Sequence, residues 1–165
     1  MAFQLDVLVT LSVLDRLVDS DPKNSTEAPL TRAESVRRLR IAVRRDLEWL
    51  LNSRRIAIAP DPALSELNRS VYVYGLPDIA SVRIADRAEQ ARLLAAIEKS
   101  VQIFEPRLTN VRIIPVIDES KKSIQRMDFR IEGLLLMDPA PVHISFDTTL
   151  DAVNQNYRIK SDGMD

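Results

Sequence analysis

Glu105 and Arg107 are the residues whose types and spacing most directly invite a chemical reading. They flank Pro106 within residues 101–112, VQIFEPRLTNVR. A glutamate can serve as a general acid. Glycoside hydrolysis pairs such an acid with a second carboxylate about 5–10 Å away across a cleft. Arg107 favours the charged form of Glu105, the opposite of what a general acid needs. Asp147 and Glu132 qualify as second carboxylates only because carboxylates are common. His143 and Ser145 fall two apart on one strand face. That is about 7 Å, too far for direct proton transfer, and no nucleophile elbow surrounds them. The residues therefore speak against an enzyme. Glu105 and Arg107 remain either a helix stop with an incidental ion pair or a charged docking corner.

The bulk composition narrows the classes further. The chain has 165 residues, 45% hydrophobic and 28% charged, with net charge −1. This is one domain's worth of core with no global basic bias toward nucleic acid or anionic lipid. With no cysteine and a single histidine, thiolate and His-rich metal sites have no ligands, and no cofactor is expected. Three glycines leave no phosphate-cradling loop. The apolar start, residues 5–17, contains Asp6, Asp15 and Arg16, is too short to span a bilayer and lacks a cleavable leader pattern.

The elements that must position the corner follow from periodicity. Pro106 has no amide hydrogen and biases Glu105 away from helix, so a helix carrying Leu94, Ile97, Val101 and Phe104 stops there and the chain leaves extended. Asp86 and Glu89 have capping-box spacing at that helix's start, as do Thr31 and Glu34 at the start of an earlier one. The earlier helix shows a buried stripe of Val36, Leu39, Val43, Leu47 and Leu50. Residues 32–55 hold eight arginines against three acids, a local +5. This face, with Arg37, Arg38, Arg44 and Arg45, is either solvated or a contact surface for anions or protein. No aromatic platform is interleaved with it, which argues against nucleic acid. Residues 54–67, with Pro60 and Pro62, read as irregular; residues 70–79 read as strand-like, then broken at Gly75 and Pro77 in a turn where Tyr72 or Tyr74 is either exposed or simply packed. After Pro106 the period becomes two: Val111, Ile113 and Ile117, then Met127, Phe129 and Ile131, then Val142, Ile144 and Phe146. Pro115 places the first of these strands at an edge or bulge. The expected fold is α+β: two main helices packed on a small antiparallel meander, with an N-terminal arm. Residues 1–29 form the arm and linker, residues 30–160 a single domain, and residues 161–165 a tail. The segment through Tyr157 and Ile159 either adds a strand or frays. Residues 5–18, with Leu11, Leu14 and Leu17 every three residues, dock on the chain's own core or on another protein.

Several stretches, in order, resemble one family. These are residues 12–17 (SVLDRL), the arginine-rich helix ending in LLNSRR at 50–55, YGLPD at 74–78, FEPRL at 104–108, and the strand FRIEG at 129–133. The chain resembles the small baseplate wedge proteins of contractile phage tails, and more closely their type VI secretion counterparts, the TssE family; SVLDRL points to the secretion branch. The resemblance implies a non-catalytic structural protein of the baseplate, cytoplasmic and in a complex docked at the inner membrane. The implied partners are TssF and TssG, with TssK as a further candidate, and the sheath proteins TssB and TssC. A sheet edge and the corner would receive sheath segments and start polymerisation. The implied contact residues are Glu105, Pro106 and Arg107, with Leu14, Asp15, Arg16 and Leu17 on the arm and Arg44 and Arg45 on the helix. Members of the family have also been labelled lysozyme-like, so a peptidoglycan-cleaving hydrolase is the alternative. A third reading is a basic-helix adaptor for an anionic partner. In isolation the chain is expected to be a small monomer whose arm orders on assembly.

Overall fold

A computed structural model describes residue 17 and residues 31–78, 84, 86–116 and 125–160. Helix α1 spans Arg32–Asn52. Thr31 caps it, its side chain accepting from the Glu34 amide at 3.3 Å. Helix α2 spans Arg87–Phe104, capped by Asp86, which accepts from the Ala88 amide at 2.8 Å. Four strands follow: β1 Leu108–Val116, β2 Arg126–Leu135, β3 Val142–Asp151 and β4 Asn156–Ile159. They form one sheet in the order β1-β2-β3-β4, with every neighbouring pair antiparallel. The fold is the expected α+β meander, and the segment through Tyr157 and Ile159 adds the fourth strand.

The core lies between the helices and one face of the sheet. Leu39, Val43, Leu47 and Leu50 of α1 and Ile97 and Val101 of α2 meet Phe129, Ile131, Ile144, Phe146 and Leu150. The stripe on α2 is rotated from the expected one: Leu93 and Ser100 are buried, whereas Leu94 and Phe104 are half-buried. Val36 is likewise half-buried. Helix α1 packs toward β4 and α2 toward β1.

Between the helices, residues 54–66 are irregular, as expected. The strand reading that opens residues 70–79 is overturned at residues 70–74, while Ile79 lies outside the described residues. Leu67–Arg69 and Val71–Val73 are short 3-10 turns. The Ser70 side chain accepts from the Tyr72 amide, and a local side-chain bond of this kind outcompetes strand propensity where there is no neighbouring strand. Gly75 then turns the chain at φ +98, a left-handed conformation, and a Cβ there would meet the Ser53 carbonyl oxygen at 2.4 Å. This close approach lets Leu76 donate to Ser53 O at 2.8 Å and accept from Arg55 N at 2.9 Å. YGLPD is thus pinned to the end of LLNSRR.

In β1 the register shifts between Thr109 and Arg112. Asn110 takes φ 52 at this irregularity. One extra residue moves the inward positions from Leu108 to Val111 and Ile113, so a bulge keeps all three on the core side. Ile117 and the polar turn at residues 118–123 lie outside the described residues.

Candidate functional site

The corner forms where α2 ends. The Glu105 amide still donates to Val101 O at 2.9 Å, and Leu108 N donates back to Glu105 O at 3.0 Å. Pro106 and Arg107 are therefore the central residues of a tight turn, with proline at the position its fixed φ suits. This turn folds Arg107 back on Glu105. Nε donates to Oε1 and Nη2 to Oε2, each at 2.5 Å, a bidentate fork across a two-residue separation. The Glu105 residue is only 3% exposed, so it needs this partner.

Arg107 also reaches α1. Its Nη2 donates to Asp46 Oδ2 at 2.6 Å. The other Asp46 oxygen accepts from Arg45 Nε at 3.0 Å and Nη2 at 2.8 Å. The Arg45 guanidinium in turn lies 5.0 Å from the centroid of the exposed Trp49 ring, which corrects the reading that no aromatic ring is interleaved with these arginines. Glu105, Arg107, Asp46 and Arg45 form one chain of alternating charge from the corner to the outside of α1. The Arg107 cation is held well above its ordinary range, first by the Glu105 hydrogen bond and then by Asp46, against the opposing effect of burial. Tyr74 completes the locus. Its ring meets Phe104 edge-on at 5.1 Å, and its phenol is raised by burial first, then by Asp46 and Glu105. LLNSRR, YGLPD and FEPRL therefore converge in space.

Asp46 is the second carboxylate that spacing alone did not reveal. Since it shares Arg107 Nη2 with Glu105, the two bonded oxygens lie no more than about 5 Å apart, within the range of retaining glycosidases. The space between them is occupied by the guanidinium, where a glycosidic oxygen would have to sit. Asp147 pairs with Arg130 at 2.6 Å instead. Glu132 sits on β2 opposite Arg112. His143 is exposed on β3 opposite Leu134. No grouping of three metal-ligating side chains occurs among the described residues.

The arginine face is less solvated than its composition suggests. Arg40 lies 5.9 Å over the Phe146 ring and donates to Ser145 O at 3.4 Å. Arg44 is half-buried, and Pro106 is exposed at the tip of the turn. Of the arm residues, Leu17 is exposed, while Leu14, Asp15 and Arg16 lie outside the described residues. Among the described residues no helix is long and apolar enough to cross a membrane.

Both sheet edges carry caps. On β1 the Ile113 amide donates to Glu98 Oε2 of α2 at 3.3 Å, so it points away from β2. Pro115, two residues on, occupies the equivalent outward position and has no amide hydrogen. On β4 the side-chain amide of Asn52 accepts from Tyr157 N and donates to Tyr157 O, both at 2.9 Å, standing in for a neighbouring strand. Pro115 was legible in the sequence as an edge signal, whereas the Glu98 and Asn52 caps were not, since each joins residues on different elements.

A family model described as baseplate wedge protein gp25 matches residues 37–140, well over half of the chain. The match includes the whole corner, Arg44, Arg45 and Asp46. No curated protein matches. A solved structure, the baseplate complex from the type VI secretion system, contains a chain of similar fold with TM-score 0.50 and 14% identity. The likeness covers 76% of this chain and 97% of that one.

Proposed function

The chain belongs to the baseplate wedge protein gp25 family, and on that premise we propose that it is a non-catalytic component of a type VI secretion baseplate that helps start polymerisation of the contractile sheath. In this reading it joins TssF and TssG in the wedge, with TssK as a further neighbour. It works on the cytoplasmic side of the inner membrane and receives segments of TssB and TssC. The observation that carries the reading is the Glu105–Arg107–Asp46 cluster. A carboxylate that is buried and bonded at both oxygens is a framing group, not a proton donor for a substrate. It fixes the start of β1 relative to α1, and β1 is a sheet edge.

The caps refine how a sheath strand would add. Along β1 the outward positions 113 and 115 keep their carbonyls, because in an antiparallel ladder both backbone groups of a residue point the same way. An incoming strand would thus supply the donors there, and release of Ile113 from Glu98 would add a donor from β1. The corner residues Glu105, Pro106 and Arg107, the arm residues Leu14, Asp15, Arg16 and Leu17, and Arg44 and Arg45 are proposed to frame or contact partners.

The hydrolase reading draws on one observation, the short separation of Glu105 and Asp46. Removing the chain from its host and following a fluorescent sheath subunit tests the first reading; sheath tubes forming at normal frequency would overturn it. Clearing of purified peptidoglycan by the wild-type protein, abolished by Glu105→Gln, would establish the second.

A further inference from the structure

We propose that the outward face of α1 centred on Ile41, Arg45 and Trp49 is a docking site for an acidic amphipathic helix of another protein. The three residues are spaced by four and so share one helix face, spanning about 12 Å. Ile41 is 52% exposed and Trp49 54% exposed, in the middle of a helix whose opposite side is core. An isolated apolar side chain at the surface is ordinary. Here two large ones flank an arginine that is already ordered. Arg45 is held over Trp49 by its two bonds to Asp46, which Arg107 holds from behind. The Trp–Arg pair is therefore fixed before any partner arrives, which reduces the entropy lost on binding. Tryptophan and arginine are also the side chains that most often carry interface energy.

Charge selects the occupant. Arg37 and Arg44 flank the patch and form no ion pair among the described residues. Residues 32–52 carry six arginines against three acids. Carboxylates on the partner would meet these guanidinium groups while its apolar residues cover Ile41 and Trp49. A helix fits better than an extended segment, because α1 offers side-chain ridges and no free backbone edge. Nucleic acid fits poorly: Trp49 is the single aromatic ring of α1 and Arg45 already covers one side of it, so successive bases have no stacking platform, and a helix, unlike a phosphate backbone, can keep its carboxylates clear of Glu34 and Glu48. This surface runs on to Asn52, which caps the β4 edge, but its binding groups are side chains of α1, so the inference does not depend on strand addition by the sheath.

Trp49 is the chain's only tryptophan, and its emission reports this site alone. The full chain is titrated with a synthetic helical peptide bearing leucines at i, i+4 and i+7 and glutamates beside them. A second peptide of the same composition has its leucines dispersed around the helix. The amphipathic peptide is expected to shift Trp49 emission to the blue, saturably, and to bind at least tenfold more tightly than the dispersed one. Ile41→Asp and the double variant Arg37→Glu/Arg44→Glu are each expected to weaken binding at least tenfold with unchanged circular dichroism. Equal binding of the two peptides, or full affinity in both variants, overturns the proposal. So does tighter binding of a single-stranded oligonucleotide at equal salt, or a Trp49 shift produced by self-association alone.

Discussion

Arg107 Nη2 bonds Asp46 Oδ2 at 2.6 Å, joining the corner after α2 to the middle of α1 across 61 positions of sequence. This one nitrogen also holds Glu105. The turn after α2 therefore cannot move without α1. Because β1 begins at Leu108, immediately after Arg107, the edge of the sheet inherits its placement from a helix whose other face is open to partners.

Arg107→Ala removes the only cation bonded to Glu105 among the described residues and leaves a buried carboxylate uncompensated. The expected loss of stability is about 3–5 kcal/mol, because breaking a buried pair costs more than the pair contributes. Asp46→Asn leaves the Glu105 fork intact and is expected to cost about 1 kcal/mol. The double variant Glu105→Gln/Arg107→Met is expected to recover much of the Arg107→Ala loss. Urea denaturation of the four proteins measures all of this. A small loss in Arg107→Ala, under about 1 kcal/mol, would mean that the corner is solvated.

Gly75→Ala tests the pin between YGLPD and the end of α1. The backbone there is left-handed, costing a residue with a Cβ about 1–2 kcal/mol, and the clash with Ser53 O adds to it. The expected result is a larger total loss, with Tyr74 released from Phe104 and visible as altered near-ultraviolet dichroism. Wild-type stability in this variant would contradict the close approach.

The sequence made the helices, their caps and the meander legible because each rests on local periodicity or on residues close in sequence, although Asp86 caps through the Ala88 amide and not that of Glu89. The stop at Glu105 was legible for the same reason: Pro106 forbids what precedes it. Asp46 was not, since one of three acids in an arginine run looks like ordinary charge balance until the fold brings Arg107 to it. The 3-10 turns at Val71–Val73 were misread because β-branched and aromatic residues announce a strand only where a neighbour exists to pair with. Glu98 and Asn52 acquire meaning only from the strand that lies beside each of them.

Asn52→Leu uncovers the Tyr157 amide and carbonyl on the β4 edge. The expected cost is about 1 kcal/mol, with faster hydrogen exchange at the Tyr157 amide and an increased tendency to self-associate through the freed edge. Amide exchange followed by mass spectrometry checks the first effect and sedimentation the second. Unchanged exchange at Tyr157 would show that Asn52 does not protect the edge.

Tyr157 supplies a pH-dependent test. Its ring is buried edge-on to Phe129, with centroids 6.3 Å apart, and its hydroxyl has no hydrogen-bond partner among the described residues. Burial raises the phenol above its ordinary value. A raised folded value means that stability from the neutral phenol is fully present below the unfolded value of about 10 and is lost as pH rises beyond it. Tyr157→Phe removes both the unbonded hydroxyl and the titration. It is expected to be more stable than wild type by about 1 kcal/mol at neutral pH. It is also expected to lose less stability than wild type as pH rises past about 10. Tyr74, also raised, leaves a residual slope in both proteins. Denaturant midpoints for the two proteins at neutral and alkaline pH decide the matter. Parallel decline would place the alkaline sensitivity elsewhere than in the Tyr157 pocket.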